Sequence, residues 1–279
     1  MGVTYPLAIT GLKDRSASGN ALTTNLTFLT SITYKDEVLA DNPTRYFRFD
    51  ETAGTVAFSD TALSDLTLTN GAYLNLPVLG VPSLVPSQMN SFAALFVGAN
   101  TNYVLVPNGG DINDFRGPWS QKTVEFWFRA NSTPAPGSSS LYASTAGLYE
   151  EGGGARSIHL HLWRDPVNQD PAEAELILHS FNNTADGPGT PYGILQYPAV
   201  YTQYTIRTNT TYHVIGVYDG RTASLDGELR LYINGDLVGR TTNGIGQIYN
   251  HNGDVRIGSG NARYLLNQSG DFSPILRNG

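Results

Sequence analysis

The sequence predicts an all-β protein, an antiparallel sandwich or barrel. Three observations carry that reading. Residues that favour strands (Val, Ile, Thr, Tyr and Phe) crowd the chain, and strong helix-formers are scarce. They fall in short runs separated by Gly, Asn, Asp and Pro clusters. No long stretch keeps a 3.6-residue apolar period.

Taken in order, residues 1–36 are Thr-rich, carry few aromatics and include the turn-like LKDRSASGN. They read as an N-terminal arm of one or two strands outside the main body. Residues 46–49 (YFRF) read as a strand followed by the DETAG turn, and residues 103–106 (YVLV) as a strand before a turn at 107–110. Residues 123–129 (TVEFWFR) place Val124, Phe126 and Phe128 on one face and Glu125, Trp127 and Arg129 on the other. Residues 157–163 (SIHLHLW) alternate strictly, and residues 175–181 (ELILHSF) are expected to pair with them. Residues 211–218 and 228–233 flank an Asp-Gly-containing connection. Asn234-Gly235 then makes a tight hairpin turn into 238–241, because both residues accept positive φ at low cost. Residues 255–257 form a last short strand. Residues 131–140 and 182–191 are loops by their Ser, Pro, Gly and Asn content, the second expected to be exposed and mobile. The expected core includes Val124, Phe126, Phe128, Leu160, Leu162, Val214 and Leu231.

Composition excludes several functions. The 279 residues contain no cysteine, so there is no disulfide framework, thiolate metal site or cysteine nucleophile. With 17 basic against 24 acidic residues the net charge is −7, which argues against a nucleic-acid partner. No apolar run is long enough to span a membrane, and residues 1–16 lack the basic and apolar regions of a secretory signal.

Several segments resemble the laminin-G-like, concanavalin A-like family. Residues 34–43 (YKDEVLADNP) and 46–51 (YFRFDE) are similar to its opening "VLAD-P-aYWRLdE". Residues 91–107 resemble its "a-l-F-G---yv-vp" strands, and residues 123–129 its "TvEfWfr" strand. Residues 212–220 resemble "wHhVa-vyDG", residues 228–235 "g-l-lYvNG" and residues 255–258 "l-iG". The resemblance runs from about residue 37 to 260 and implies a two-sheet jelly roll over residues 37–279, with residues 1–36 as the arm. It also implies a domain that binds carbohydrate or protein, often with a rim calcium. The family's closing "iDEvaiYnraLs" strand has no counterpart here; either the chain is shorter than a typical domain or another strand fills that edge.

Catalytic readings are weak. There is no G-x-S-x-G, P-loop or H-E-x-x-H motif. Glycoside hydrolysis needs two carboxylates on one face. Glu125 has Thr123, Trp127 and Arg129 beside it, and is expected to pair with Arg129 or a hydroxyl. Glu173 and Glu175 share a face but lack an aromatic platform in sequence, and read as solvated. The expectation is a non-enzyme.

The strongest binding cluster is His159, His161 and Trp163, which alternation sets on one face of one strand, with His179 joining from the next. Trp163 beside Arg164 and Asp165 suits a sugar, since an aromatic ring stacks on C–H groups while polar residues bond hydroxyls. The two histidines also suit a transition metal, and the unremarkable alternative is a solvent-facing or interface surface. Tyr192, Tyr197, Tyr201 and Tyr204 form a second aromatic group, read either as an interface or as packing under a long loop. Asn108, Asp111, Asn113 and Asp114 supply oxygens for calcium, and Asp50, Glu51 and Asp60 lie near turns; the plainer reading of all of them is turn chemistry.

Sequons such as those at Asn25, Asn131, Asn209 and Asn267 read as chance in a Thr/Asn-rich chain. A cysteine-free sandwich without an export signal suits a virus particle assembled in the host cytoplasm. The expected role is therefore a virion structural or adhesive protein: a tail fibre, an appendage or a capsid decoration protein. Its expected partners are other virion proteins, itself as a homo-oligomer, and a cell-surface glycan. The alternatives are a carbohydrate-binding module of a larger surface or secreted protein and, third, a glycan hydrolase or lyase.

Overall fold

Period-two alternation becomes antiparallel ladder pairing along most of the chain. The computed structural model describes residues 3–13, 21–30, 33–60, 70–85, 91–97, 102–106, 121–134, 145–151, 157–164, 170–181, 199–220, 227–242 and 255–259. The chain divides into two compact units, Met1–Tyr46 and Phe47–Gly279.

In the first unit β1 (Val3–Lys13) pairs with β2 (Ala21–Thr30), from Val3↔Thr30 to Lys13↔Ala21. A short helix, α1 (Tyr34–Ala40), follows. No apolar period announces it. Its start is set by a capping box: the Asp36 amide donates to Thr33 Oγ1 (3.2 Å) and the Thr33 amide donates to Asp36 Oδ2 (2.8 Å). The same backbone bond holds the exposed Asp36 carboxyl below its usual range. Asn42, at φ 51°, and Pro43 end the helix. The helix groups with the hairpin, so this unit extends past residue 36 to Tyr46.

The second unit holds β3 (Val56–Ala57), β4 (Gly71–Leu74), β5 (Val78–Pro82), β6 (Phe92–Leu95), β7 (Tyr103–Val106), β8 (Gln121–Arg129) and β9 (Thr145–Glu150). It continues with β10 (Ser157–Trp163), β11 (Glu173–Phe181), β12 (Ala199–Arg207), β13 (Thr211–Asp219), β14 (Glu228–Ile233), β15 (Asp236–Thr241) and β16 (Val255–Ile257). One sheet runs β12-β11-β10-β9-β16-β7-β4-β3 and the other β15-β14-β13-β8, while β5 and β6 form a separate ribbon. Asn234 (φ 53°) and Gly235 (φ 91°) turn β14 into β15, as the positive-φ reading requires.

The two large sheets bury one apolar core. Ile158, Leu160, Leu162, Leu176 and Leu178 from one meet Phe128, Val214, Leu229, Leu231 and Ile233 from the other. Of the residues expected inside, Phe128, Leu160, Leu162, Val214 and Leu231 are buried, and Val124 and Phe126 pack partly buried against the same cluster. Two glycines let the sheets approach. A Cβ on Gly216 would lie 3.1 Å from Leu178 Cδ1, and one on Gly239 would overlap Thr202 Oγ1 where β15 meets β12. Among the described residues, a charged contact joins the sheets. Lys122 Nζ lies 2.5 Å from Glu151 Oε2, which also accepts a 2.7 Å bond from the Tyr149 hydroxyl. Burial, and then the Glu151 charge, raise the Tyr149 hydroxyl well above its ordinary value.

Residues 46–49 do not form the expected strand. Phe47 makes a single bridge to Ser59, and Phe49 takes φ 57°, which breaks extended geometry. The segment instead supplies an aromatic cluster: Phe47 stacks on Phe49, which meets Tyr73 and Phe96. The acids near these turns are engaged by neighbours. Glu51 accepts from the Tyr73 hydroxyl (2.7 Å) and the Phe58 amide (2.8 Å), and Asp50 pairs with Arg48 and accepts from the Phe92 amide (2.9 Å).

Gly239→Ala should destabilise the protein by about 1–3 kcal/mol through overpacking against Thr202. Gly216→Ala should cost less, because it meets only flexible leucine ends. Urea midpoints measure both, and an unchanged midpoint for Gly239→Ala would refute the required close approach. Lys122→Met, which leaves the Glu151 carboxylate buried without its cation, should cost about 3–5 kcal/mol. Adding Glu151→Leu should recover part of that loss in the same measurement.

Candidate functional site

Because the inner faces are committed to the core, candidate chemistry falls on the outer faces. On β10, alternation divides the residues as expected: Ile158, Leu160 and Leu162 enter the core, while His159, His161 and Trp163 share the other face. That face is not open. His159 and His161 are each 1% exposed and Trp163 is 2% exposed, so the solvent-facing expectation is corrected. The reason is position: β10 sits between β9 and β11 inside the eight-stranded sheet and is buried on both sides.

Register places further residues around this face. His159 lies opposite Glu150 on β9 and opposite His179 on β11. The next row runs His161, Ile177, Gln203, and the next Trp163, Glu175, Thr205. Glu150 and Ile177 are buried with the histidines. Trp163 and Ile177 lie outside the inter-sheet core cluster, so they belong to a second buried layer. Two polar atoms in it stand out. Among the described residues, the Trp163 indole N–H finds no acceptor and Gln203 Oε1 finds no donor, although both atoms are buried. Burial, and then the charge of His159, lower the His161 imidazole to about 3, so it is neutral over the physiological range.

Sequence reasoning missed Glu150, Gln203 and Thr205, which enter only through register with β10 and β11. The remaining expected residues, Asp165, Tyr192, Tyr197, Asn108, Asp111 and Asp114, lie outside the described residues, as does the loop 182–191. The same holds for Asn113. Tyr201 and Tyr204 fall on β12, and Tyr204 packs partly buried against the core. Among the described residues, no three His, Asp or Glu side chains are grouped to hold a metal ion.

The candidate acids are engaged by their neighbours. Glu173 pairs with Arg207, and Glu175 accepts from the Thr205 hydroxyl (2.8 Å). Glu175 does have an aromatic neighbour, since the register sets Trp163 directly opposite it. Glu125 pairs with His213 Nε2 (2.8 Å) rather than with Arg129. His213 is a knot on the four-stranded sheet: Trp127 stacks on its ring at 4.7 Å, and its amide donates to Asn234 Oδ1 (2.9 Å). Two β8 side chains, Glu125 and Trp127, thus meet the His213 imidazole of β13, with Glu125 88 residues away in sequence.

Two antiparallel sheets packed over one core, with polar and aromatic residues on their outer faces, define a β-sandwich of the binding-domain class. A family model for laminin-G-type domains, described as the concanavalin A-like lectin/glucanases superfamily, matches residues 97–272. That is more than half of the chain, and the protein belongs to this family, whose fold is a general binding fold. A search of curated proteins finds no match.

The neutral His161 sets a pH dependence. Its folded value lies below the ordinary 6.5, so the unfolded chain binds more protons between about pH 3 and 6.5, and stability falls as pH drops through that window. The slope from this group is at most about 1.4 kcal/mol per pH unit. Going from about pH 7 to about pH 4.5, wild type should lose about 2–3 kcal/mol more than His161→Leu. Denaturant unfolding at both pH values checks it, and parallel losses in the two proteins would refute a buried neutral imidazole.

Proposed function

We propose that the protein is a non-enzymatic adhesive module of a virion, in which the laminin-G-like sandwich binds a cell-surface glycan and the unit Met1–Tyr46 tethers it. The observation that carries the binding reading is the pair of buried polar atoms on the outer face of β10–β12: Trp163 Nε1, a donor, and Gln203 Oε1, an acceptor. An unsatisfied buried polar group costs about 1–3 kcal/mol, which a ligand supplying the missing partner recovers. A hydroxyl both donates and accepts, so one kind of ligand group serves both atoms. Glu175, Thr205 and the neutral His161 add further acceptors and donors without a cation, which suits a neutral polyol better than a phosphate. From the register, Trp163 and Gln203 are about 12 Å apart at Cα, the scale of a short oligosaccharide.

The non-catalytic part of the reading is supported by the acids. Glu125 lies on one sheet and is held by His213, while Glu173 and Glu175 lie on the other and are held by Arg207 and Thr205. The virion placement is supported by the cysteine-free composition and by an N-terminal unit that is compact by itself.

A glycan array followed by titration calorimetry tests the binding. Trp163→Phe, which keeps a ring but removes the N–H, should weaken glycan binding about tenfold, the loss of one good hydrogen bond to a buried group. Gln203→Met should act in the same direction. Absence of binding across the array, or unchanged affinity in both variants, overturns the site. Release of reducing ends from polysaccharides that disappears in Glu125→Gln or Glu175→Gln would overturn the non-enzymatic reading.

A further inference from the structure

The outer face of the four-stranded sheet has a different character. Register across β8, β13, β14 and β15 sets Glu125, Ile215, Tyr232 and Leu237 in one row. The next row is Thr123, Val217, Arg230 and Arg240. Leu237 is 51% exposed, and Ile215, Val217 and Tyr232 are partly exposed. The middle of this face is therefore an apolar and aromatic band, with a carboxylate at the β8 side and guanidinium groups toward β15. Arg240 is paired with Glu228 but remains more than half exposed.

Two features favour a protein over a sugar on this band. Trp127 already gives one ring face to His213, in a stack whose planes differ by 19°, so it is a poor platform for a pyranose. The apolar centre with Tyr, Arg and Leu, ringed by both signs of charge, has the make-up of a protein interface. The centre of the row is also self-complementary. Read backwards it is Leu237, Tyr232, Ile215, Glu125, so a copy turned over the first sets Ile215 against Tyr232 twice.

We propose that this face is the interface of a homodimer, two copies packing sheet to sheet about a two-fold axis that runs along the strands between β13 and β14. That axis brings Ile215 of each copy onto Tyr232 of the other and carries Leu237 over the Glu125 side. It also swings Arg240 of each copy toward the Glu125 carboxylate of its mate. Isologous packing of this kind needs only one patch. Four strands about 4.8 Å apart and about eight residues long cover roughly 19 by 27 Å. With side-chain relief this approaches, without exceeding, the roughly 800 Å² per partner of a standard interface. The dimer is accordingly weak and concentration-dependent. It does not rest on the glycan reading.

Analytical ultracentrifugation of the full chain, from low micromolar to submillimolar concentration, tests it. Wild type should pass from monomer to dimer. Leu237→Asp, at an exposed hairpin position that the fold tolerates, should raise the dimer Kd about tenfold or more, because it sets a second carboxylate against the Glu125 side of the mate. Arg240→Glu should weaken the dimer, and adding Glu125→Lys should restore part of it by exchanging the two charges. Leu76→Asp, at a site 69% exposed elsewhere on the sandwich, is the control and should change nothing. Circular dichroism verifies folding of each variant. A monomer at every concentration overturns the proposal, as does a dimer indifferent to Leu237→Asp or equally lost in Leu76→Asp. Glycan binding that Leu237→Asp abolishes in a monomeric protein would assign the face to a sugar and also overturn it.

Discussion

How closely two sheets can stand decides what the rest of the sandwich does. Packed sheets are separated by about 10 Å, and their inner side chains must interdigitate within that space. Here the leucines of β10 and β11 press toward the backbone of β13 at Gly216, and Thr202 of β12 presses toward β15 at Gly239. A side chain at Gly239 would collide with Thr202, while one at Gly216 would crowd the ends of Leu178 and Leu160. The inner faces are thereby committed to packing, aromatic rings such as Phe128, Tyr212 and Tyr218 included, and the His159–His161–Trp163 and Trp127–His213 groups lie on the outer ones. The exception, Lys122 with Glu151 and Tyr149, is tolerated because each charge and hydroxyl there has a partner.

The legible part of the fold is the part whose alternation is local. The strands Tyr103–Val106, Ser157–Trp163, Glu228–Ile233 and Val255–Ile257 could be placed from period and turn signals, and Asn234-Gly235 fixed one hairpin. β9 could not, because TAGLYE has a single β-branched residue, Thr145, and no clear apolar–polar alternation; it is a strand because β10 and β16 pair with it. YFRF failed in the opposite direction: its residues favour strands, but Phe49 turns to positive φ so that its ring can reach Tyr73 and Phe96. The short helix α1 was hidden because two capping residues, not a period, define it.

The candidate site was half legible for a related reason. Alternation says which side chains share a face and is silent on whether the face is covered. A strand carrying His, His and Trp on one side reads as half-solvated, whereas β10 is buried on both. Its neighbours in the site, Glu175, Gln203 and Thr205, lie on β11 and β12 and are brought beside it only by register. Burial changes the energetics as well as the address. The desolvation cost of the Trp163 N–H and Gln203 carbonyl is borne by the folded protein before any ligand arrives. A ligand that satisfies them then gains nearly the whole hydrogen bond, as preorganised sites do.

The two outer faces also constrain one another. On the proposed readings the glycan site belongs to the eight-stranded sheet and the dimer face to the four-stranded one, so pairing through the latter leaves the β10–β12 face of each copy outside the interface. It also points these faces in opposite directions, across four stacked sheets whose three spacings come to about 30 Å. Two sites facing away from each other cannot grip neighbouring sugars on one flat surface. The second binding event gains effective concentration only where glycan chains rise around the protein or two surfaces face each other. Such a dimer therefore acts as a bridge between glycan layers rather than as a double foot on one of them. A module built this way strengthens attachment where the target coat is thick and gains little where it is thin.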